Sequence, residues 1–260
     1  MERHRDRSGQ DGQSRAFGSD EIARLNARFR TSHPGEILRW AVTRFSPRLV
    51  MASSFGVEDV MLIDLLSGIE PPTRIVTLDT GRLPEETYEV MERIRNRYRL
   101  PILSYFPERG AVERLERERG FYSFRQSVEE RKHCCHIRKV EPLARALDGC
   151  DAWITGLRRE QAATRTEIEV LEIDQAHGSM VKINPLAYWT EPQVWAYVKE
   201  HRVPYNVLHD RGYPSIGCAP CTRAIQPGED IRAGRWWWEH PTTKECGLHL
   251  TPSAEPRSGA

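Results

Sequence analysis

Cysteine is the residue type through which this chain could do most chemistry. Its cysteines stand at 134, 135, 150, 218, 221 and 246, and four of them form two close pairs. Cys218-Ala-Pro-Cys221 has C-x-x-C spacing, which alone suits half a metal site, a redox dithiol or two ordinary thiols. The adjacent Cys134-Cys135 is a rarer pattern. In a strand the two side chains point to opposite faces, and on a helix they diverge by about 100°. Both can reach one cluster more readily than one small ion. Four thiolates from two segments fit a four-iron cluster or a zinc ion, and the vicinal pair tilts the balance toward iron–sulfur. Cys150 stands alone and reads as a small buried apolar residue. Cys246 lies in Lys244-Glu-Cys-Gly-Leu-His249 near the chain end. There Lys244 and His249 could lower its pKa and make a thiolate nucleophile; a stray surface cysteine is the equal alternative.

Basic residues gather near these thiols. Arg138-Lys139 follows the vicinal pair, Arg158-Arg159 and Arg165 follow Gly156, and Arg232 and Arg235 precede Trp236-Trp237-Trp238. Taken singly, such arginines are usually solvated. If the three groups converge, they suit a phosphate or sulfate. Ser53-Ser-Phe-Gly-Val-Glu-Asp59 joins a strand to a helix, where small residues leave amides free to hold an anion. It is not a Walker A loop, because the Gly-Lys-Ser/Thr is missing.

These residues must be positioned by alternating elements. Short apolar runs at 48–52, 74–78, 101–106 and 153–155 read as strands. Helical spacing recurs at 21–30, 36–45, 57–66, 84–98 and 111–119. Such alternation predicts an α/β fold with a mainly parallel sheet flanked by helices, whose ligands sit at the carboxyl ends of the strands. The loops to watch are then 53–59, 79–83 and 156–165. After a last run at 181–185, Thr190 can cap a helix through Glu200. Beyond Val203 periodicity fades, and a metal centre is a candidate for ordering that region. Residues 1–18 read as a disordered tail, 19–240 as one domain, and 241–260 as a mobile segment. In 260 residues, 38 Lys and Arg balance 37 Asp and Glu, which argues against a general nucleic-acid binder. No apolar stretch suits a membrane span and no secretory signal opens the chain, so a soluble cytoplasmic protein is expected. A homo-oligomer is left open.

Taken in order, Ser53–Asp59, Leu78-Asp-Thr-Gly81, Cys134-Cys135 with Arg138-Lys139, Thr155-Gly-Leu-Arg-Arg159, Gly217-Cys-Ala-Pro-Cys221, Gly234-Arg-Trp236 and Lys244–His249 resemble the assimilatory sulfonucleotide reductases. The two cysteine pairs make the chain similar to the iron–sulfur adenylyl-sulfate (APS) reductases; relatives using the 3′-phosphorylated nucleotide (PAPS) typically lack them. The resemblance implies an adenine-nucleotide alpha hydrolase-like fold, related to the pyrophosphatase-loop enzymes. It implies reduction of APS to sulfite and AMP, with Cys246 forming an S-sulfocysteine that thioredoxin resolves. Cys134, Cys135, Cys218 and Cys221 would hold a [4Fe-4S] cluster. Lys139 would lie between cluster and substrate. Arg165, Arg232, Arg235 and His249 would contact the phosphosulfate or guide the tail, and Ser54, Leu78 and Gly156 would line the nucleotide pocket. No thioredoxin-like domain follows Cys246, so a separate reductant is expected. A PAPS-preferring or dual-specificity reductase is the alternative within this class. A nucleic-acid thiolation enzyme is a second class, opposed by the balanced charge and the missing Ser-Gly-Gly-x-Asp-Ser loop; a cluster-bearing sensor is a third.

Overall fold

The computed structural model describes residues 17–162, 165–240, 244 and 248. Its strands are β1 Leu49–Ala52, β2 Arg74–Leu78, β3 Ile102–Tyr105, β4 Ala152–Ile154, β5 Leu171–Asp174 and β6 Met180–Ile183. They form one sheet in the order β3-β2-β1-β4-β6-β5. All neighbours run parallel except β5, which pairs antiparallel with β6 at the edge, Leu171 facing Ile183. The helices are α1 Ser19–Phe29, α2 Pro34–Phe45, α3 Val57–Ser67, α4 Glu85–Tyr98, α5 Arg109–Arg119, α6 Val128–Cys135, α7 Glu141–Leu147 and α8 Glu191–Glu200.

Strands this short hold because both faces are buried. Leu49, Met51, Ile75 and Ile154 enter the main core with apolar residues of α1 to α4 and α8. Their neighbours Val50, Val76 and Trp153 point the other way, onto Leu143, Ala146 and Leu147 of α7. Each such aliphatic burial stabilises by roughly 1.5–3 kcal/mol. The central helix α3 buries Val57, Val60, Met61, Leu62, Ile63 and Leu66 and packs on α2 and α8. A third, smaller cluster joins Leu115, Phe124 and Trp236 to Cys134, Cys135, Cys218 and Cys221.

The expected parallel strands fall within about a residue or two of the observed ones. Thr190 caps α8 as anticipated: its hydroxyl accepts from the Gln193 amide while Gln193 Oε1 accepts from the Thr190 amide at 2.8 Å. Three details differ. Pro84 precedes α4 as its cap rather than entering its first turn. The antiparallel β5 was not anticipated; it is short and carries Glu172, an ion-pair partner of Lys182, and Asp174, which the His177 ring meets at 2.8 Å. Phe17, assigned above to the tail, packs its ring against Trp40 and Phe45.

Between α6 and α7 the backbone takes one π-helical turn, His136–Val140, closed by the Glu141 N–H bonding to His136 O. Pro142 has no N–H to give, and in a regular helix its ring would press on the carbonyl four residues back. A widened turn relieves that pressure, and such turns concentrate at functional sites. Among the described residues, no helix is long and apolar enough to cross a membrane.

Candidate active site

Chain order reverses between β1 and β4: β2 and β3 build outward on one side of β1, while β4 lies on the other. A crevice is expected outside the carboxyl ends of two such strands. A pocket of about 230 Å³ opens there, lined by Ser53, Ser54 and Gly56 to Asp59 after β1, Leu78 and Thr80 after β2, and Thr155 to Arg158 after β4. Lys139, Arg165, Arg232 and Arg235 complete its wall. Ser54, Leu78 and Gly156 are thus brought together with three of the four residues expected at the phosphosulfate.

The loop after β1 is held by its own side chains. Asp59 Oδ2 accepts from the Ser54 amide at 2.6 Å and from the Ser54 hydroxyl at 2.9 Å. The Phe55 amide donates to Ser53 Oγ at 3.0 Å, with Phe55 at φ 59°. The expectation of free amides therefore does not hold at Ser54 and Phe55: local carboxylate and hydroxyl acceptors take them. Asp59 is only 6% exposed. Burial raises its carboxyl to about 6 although the bonds from Ser54 pull the other way. Gly156 is a glycine for space: a Cβ there would overlap Asp59 Oδ1 and lie 3.1 Å from Glu58 Cβ.

Part of the basic constellation is structural. Arg158, 2% exposed, donates through Nε to Glu58 Oε1 at 2.9 Å. Arg159 is held by the Ile168 carbonyl at 2.6 Å and Glu169 at 2.7 Å. Arg138 clamps the Thr80 carbonyl and Glu116, each at 2.7 Å. Arg165 Nη1 donates to Gln161 Oε1 at 2.6 Å, on the loop beside the pocket.

A second, smaller cavity adjoins the pocket. Cys134, Cys135, Cys218 and Cys221 line it with Arg82, Arg131, Arg138, Phe124 and the residues Lys139, Arg235 and Trp236 that it shares with the pocket. The four cysteines are buried and unbridged. Burial raises the Cys134 thiol, and burial together with Cys218 pushes Cys221 up to about 12. Burial also works against ionisation of Cys218. Lys139, the Thr80 hydroxyl at 3.2 Å, Arg235 and Arg138 outweigh it, and the net direction is downward. Buried N–H groups without a partner cluster here too: Arg138 Nε, Arg235 Nε and Trp236 Nε1. Four soft sulfur donors surrounded by cations and orphaned N–H groups fit a net-anionic iron–sulfur group whose sulfurs accept hydrogen bonds. Among the described residues, no three His, Cys, Asp or Glu side chains are set to hold one metal ion.

Cys246 and His249 lie outside the described residues. Their neighbours are placed: the Lys244 carbonyl accepts from Arg232 Nη2 at 2.7 Å, and Leu248 lines the pocket. Sequence reasoning missed Asp59, the Glu58–Arg158 pair and the siting of Trp236. An acidic residue in a first helical turn reads simply as a partner for the helix dipole. Trp236 stood out as one of three tryptophans and as the end of Gly234-Arg-Trp236, with no place in the site assigned to it.

Residues 48–224 match the phosphoadenosine phosphosulfate reductase domain. The chain is 52% identical over 221 residues to adenosine 5′-phosphosulfate reductase of Allochromatium vinosum, covering 83% of this chain and 86% of that one. To the protein of the same name from Burkholderia cepacia it is 55% identical over 204 residues, covering 78% and 81%. Its fold is similar to a crystal structure of phosphoadenylyl-sulfate reductase from Candida auris in a phosphate complex, with TM-score 0.69, 30% identity, and coverage of 80% of this chain and 98% of that one. A Candida glabrata FMN adenylyltransferase shares the fold alone, at TM-score 0.53 and 16% identity, over 94% of this chain and 82% of that one.

Proposed function

The chain belongs to the phosphoadenosine phosphosulfate reductase family, and from that premise we propose that it reduces adenosine 5′-phosphosulfate to sulfite and AMP in sulfate assimilation. The observation that carries this reading is the shared wall. Lys139, Arg235 and Trp236 line both the pocket at the strand ends and the cavity of four buried thiols. The relatives at 52% and 55% identity carry the APS name, and the solved PAPS enzyme stands at 30%. That ordering favours the unphosphorylated 3′ position.

In this reading Ser54, Leu78 and Gly156 border the nucleotide, while Lys139, Arg165, Arg232 and Arg235, with His249, receive the phosphosulfate. The Cys246 thiolate attacks the sulfur. The bond from sulfur to the bridging phosphate oxygen breaks, and AMP leaves with that electron pair. A thioredoxin thiolate then attacks Cys246 Sγ and expels sulfite, and its second thiol resolves the mixed disulfide. Sulfur gains two electrons, and the thioredoxin dithiol becomes a disulfide. Bringing a thiolate to an anion costs about 4 kcal/mol per pair of unit charges at ~4 Å and an effective dielectric of ~20. The cationic wall offsets this repulsion and stabilises charge building on the departing phosphate.

Cys134, Cys135, Cys218 and Cys221 would hold a [4Fe-4S] cluster. When bound, it supplies order to the C-terminal third and a fixed field beside Lys139, since thiols already provide both electrons. Ligands to a cluster each meet a different iron, so four thiols need not converge on one point as they must for zinc. Unbridged cysteines suit a reducing, cytoplasmic compartment.

Anaerobic incubation with APS and no reductant, followed by peptide mass spectrometry, tests the scheme. A sulfite-sized gain on Cys246 is expected, and Cys246→Ser is expected to abolish sulfite release. Sulfite release with Cys246 unmodified would overturn the mechanism, and equal or better turnover of PAPS would overturn the substrate assignment.

A further inference from the structure

Gly217 immediately precedes the C-x-x-C segment. No left-handed backbone angle marks it, so conformational freedom does not explain a glycine there. Space does. A Cβ at 217 would lie 2.5 Å from Arg235 Cζ, 2.8 Å from Nη1 and closer still to Nη2, inside the guanidinium's van der Waals envelope. The same guanidinium stands 4.5 Å from the centroid of the Trp236 ring. Its Nη1 donates to the Ile216 carbonyl at 3.2 Å, so Arg235 is pinned to the very segment it lies against.

Neither backbone is free to retreat. Thr222 and Arg235 form an antiparallel bridge, and the Trp236 amide donates to Cys221 O at 3.1 Å. The Arg223 amide donates to Gly234 O at 3.0 Å. The Gly217 amide donates to Thr222 Oγ1 at 3.2 Å. A methyl group added at 217 would have to be accommodated by the guanidinium.

We propose that Gly217 is a positioning residue, whose missing side chain seats the Arg235 guanidinium where it faces both the pocket and the thiol-lined cavity. Any side chain at 217 displaces that charge from the reacting anion. This rests on the reading of the pocket as the APS site. A charge-assisted contact of this kind controls affinity on the order of 10- to 100-fold.

A double-mutant cycle isolates the effect. Gly217→Ala is expected to lower kcat/KM for APS by roughly 10- to 100-fold, with iron content and visible absorbance unchanged. It is expected to weaken APS binding to the Cys246→Ser form, measured by calorimetry, by a similar factor. Combined with Arg235→Ala it should cost nothing beyond Arg235→Ala alone. In an Arg235→Lys background, where no planar group needs the seat, its cost should fall to about threefold or less. Additive losses, or a Gly217→Ala enzyme equal to the parent, would overturn the proposal while leaving the APS reading intact. Loss of iron on Gly217→Ala that persists in the Arg235→Lys background would overturn it too, by assigning Gly217 to the cysteine segment. A parent protein that neither binds nor turns over APS would instead sink the reading beneath it.

Discussion

Replacing Asp59 with asparagine removes a buried acid whose titration falls near neutrality in the pocket. Burial pushes its carboxyl from an ordinary 3.8 up to about 6. At 1.36 kcal/mol per unit, the ionised form costs the fold roughly 3 kcal/mol relative to the protonated one. The sign follows from proton counting. Between about pH 4 and pH 6 the folded chain keeps a proton that the unfolded chain has released. That contribution to stability is fully present below pH 4 and is lost as pH rises through 6. An asparagine Oδ1 can accept both bonds that Ser54 donates, so Asp59→Asn keeps the loop and deletes the titration. Urea unfolding of both proteins from pH 4.5 to 8 measures the effect, and taking the difference at each pH cancels whatever both share. Asparagine should gain on aspartate by about 2 kcal/mol across that range, the remainder of the full effect lying below pH 4.5. A difference that stays flat with pH would show that Asp59 titrates at its ordinary value in the folded chain.

Two further outcomes follow from packing. Gly156→Ala forces a Cβ onto Asp59 Oδ1 and against Glu58, and should lower stability by about 1–3 kcal/mol while weakening AMP binding; an unchanged urea midpoint would contradict the assigned crowding. Arg131 and Glu239 form an ion pair at 2.6 Å with 0% and 3% of their side chains exposed. Glu239→Gln should cost about 3–5 kcal/mol by neutralising one half of a buried ion pair, whereas Arg131→Met with Glu239→Leu should cost far less; denaturant titration separates the two cases.

The parallel strands were legible because each is a short, β-branched or aliphatic run closed by small or turn-forming residues, as in Arg74–Leu78 followed by Asp79-Thr80-Gly81. The pocket followed from topology, since strand ends carry loops. What periodicity did not carry was pairing. Nothing in the order of residues says that Arg158 meets Glu58, a hundred positions away, or that the Ser54 amide is spent on Asp59. Arg158 and Arg165 look alike in sequence and both border the pocket, yet Arg158 is a buried strut spent on Glu58 while Arg165 sits half-buried on the loop. The shared position of Trp236 was illegible for a similar reason: three consecutive tryptophans are one signal, and only packing separates Trp236, buried beside Arg131 and Arg235, from the more exposed Trp237.

The wide turn at His136–Val140 adds one residue to a circuit that an α-helix closes with fewer. It therefore acts as a phase shift within a continuous rod. The stretch before it keeps one rotational setting and the stretch after it another, offset by about the 100° that one residue spans. A single rod can then serve two neighbouring chambers: thiols delivered to one, an ammonium shared with the next, and α7 still laid flat on the sheet. Breaking the chain into two helices would do the same at the cost of a loop; one surplus residue does it within a continuous helical run, closed by the Glu141 N–H on His136 O.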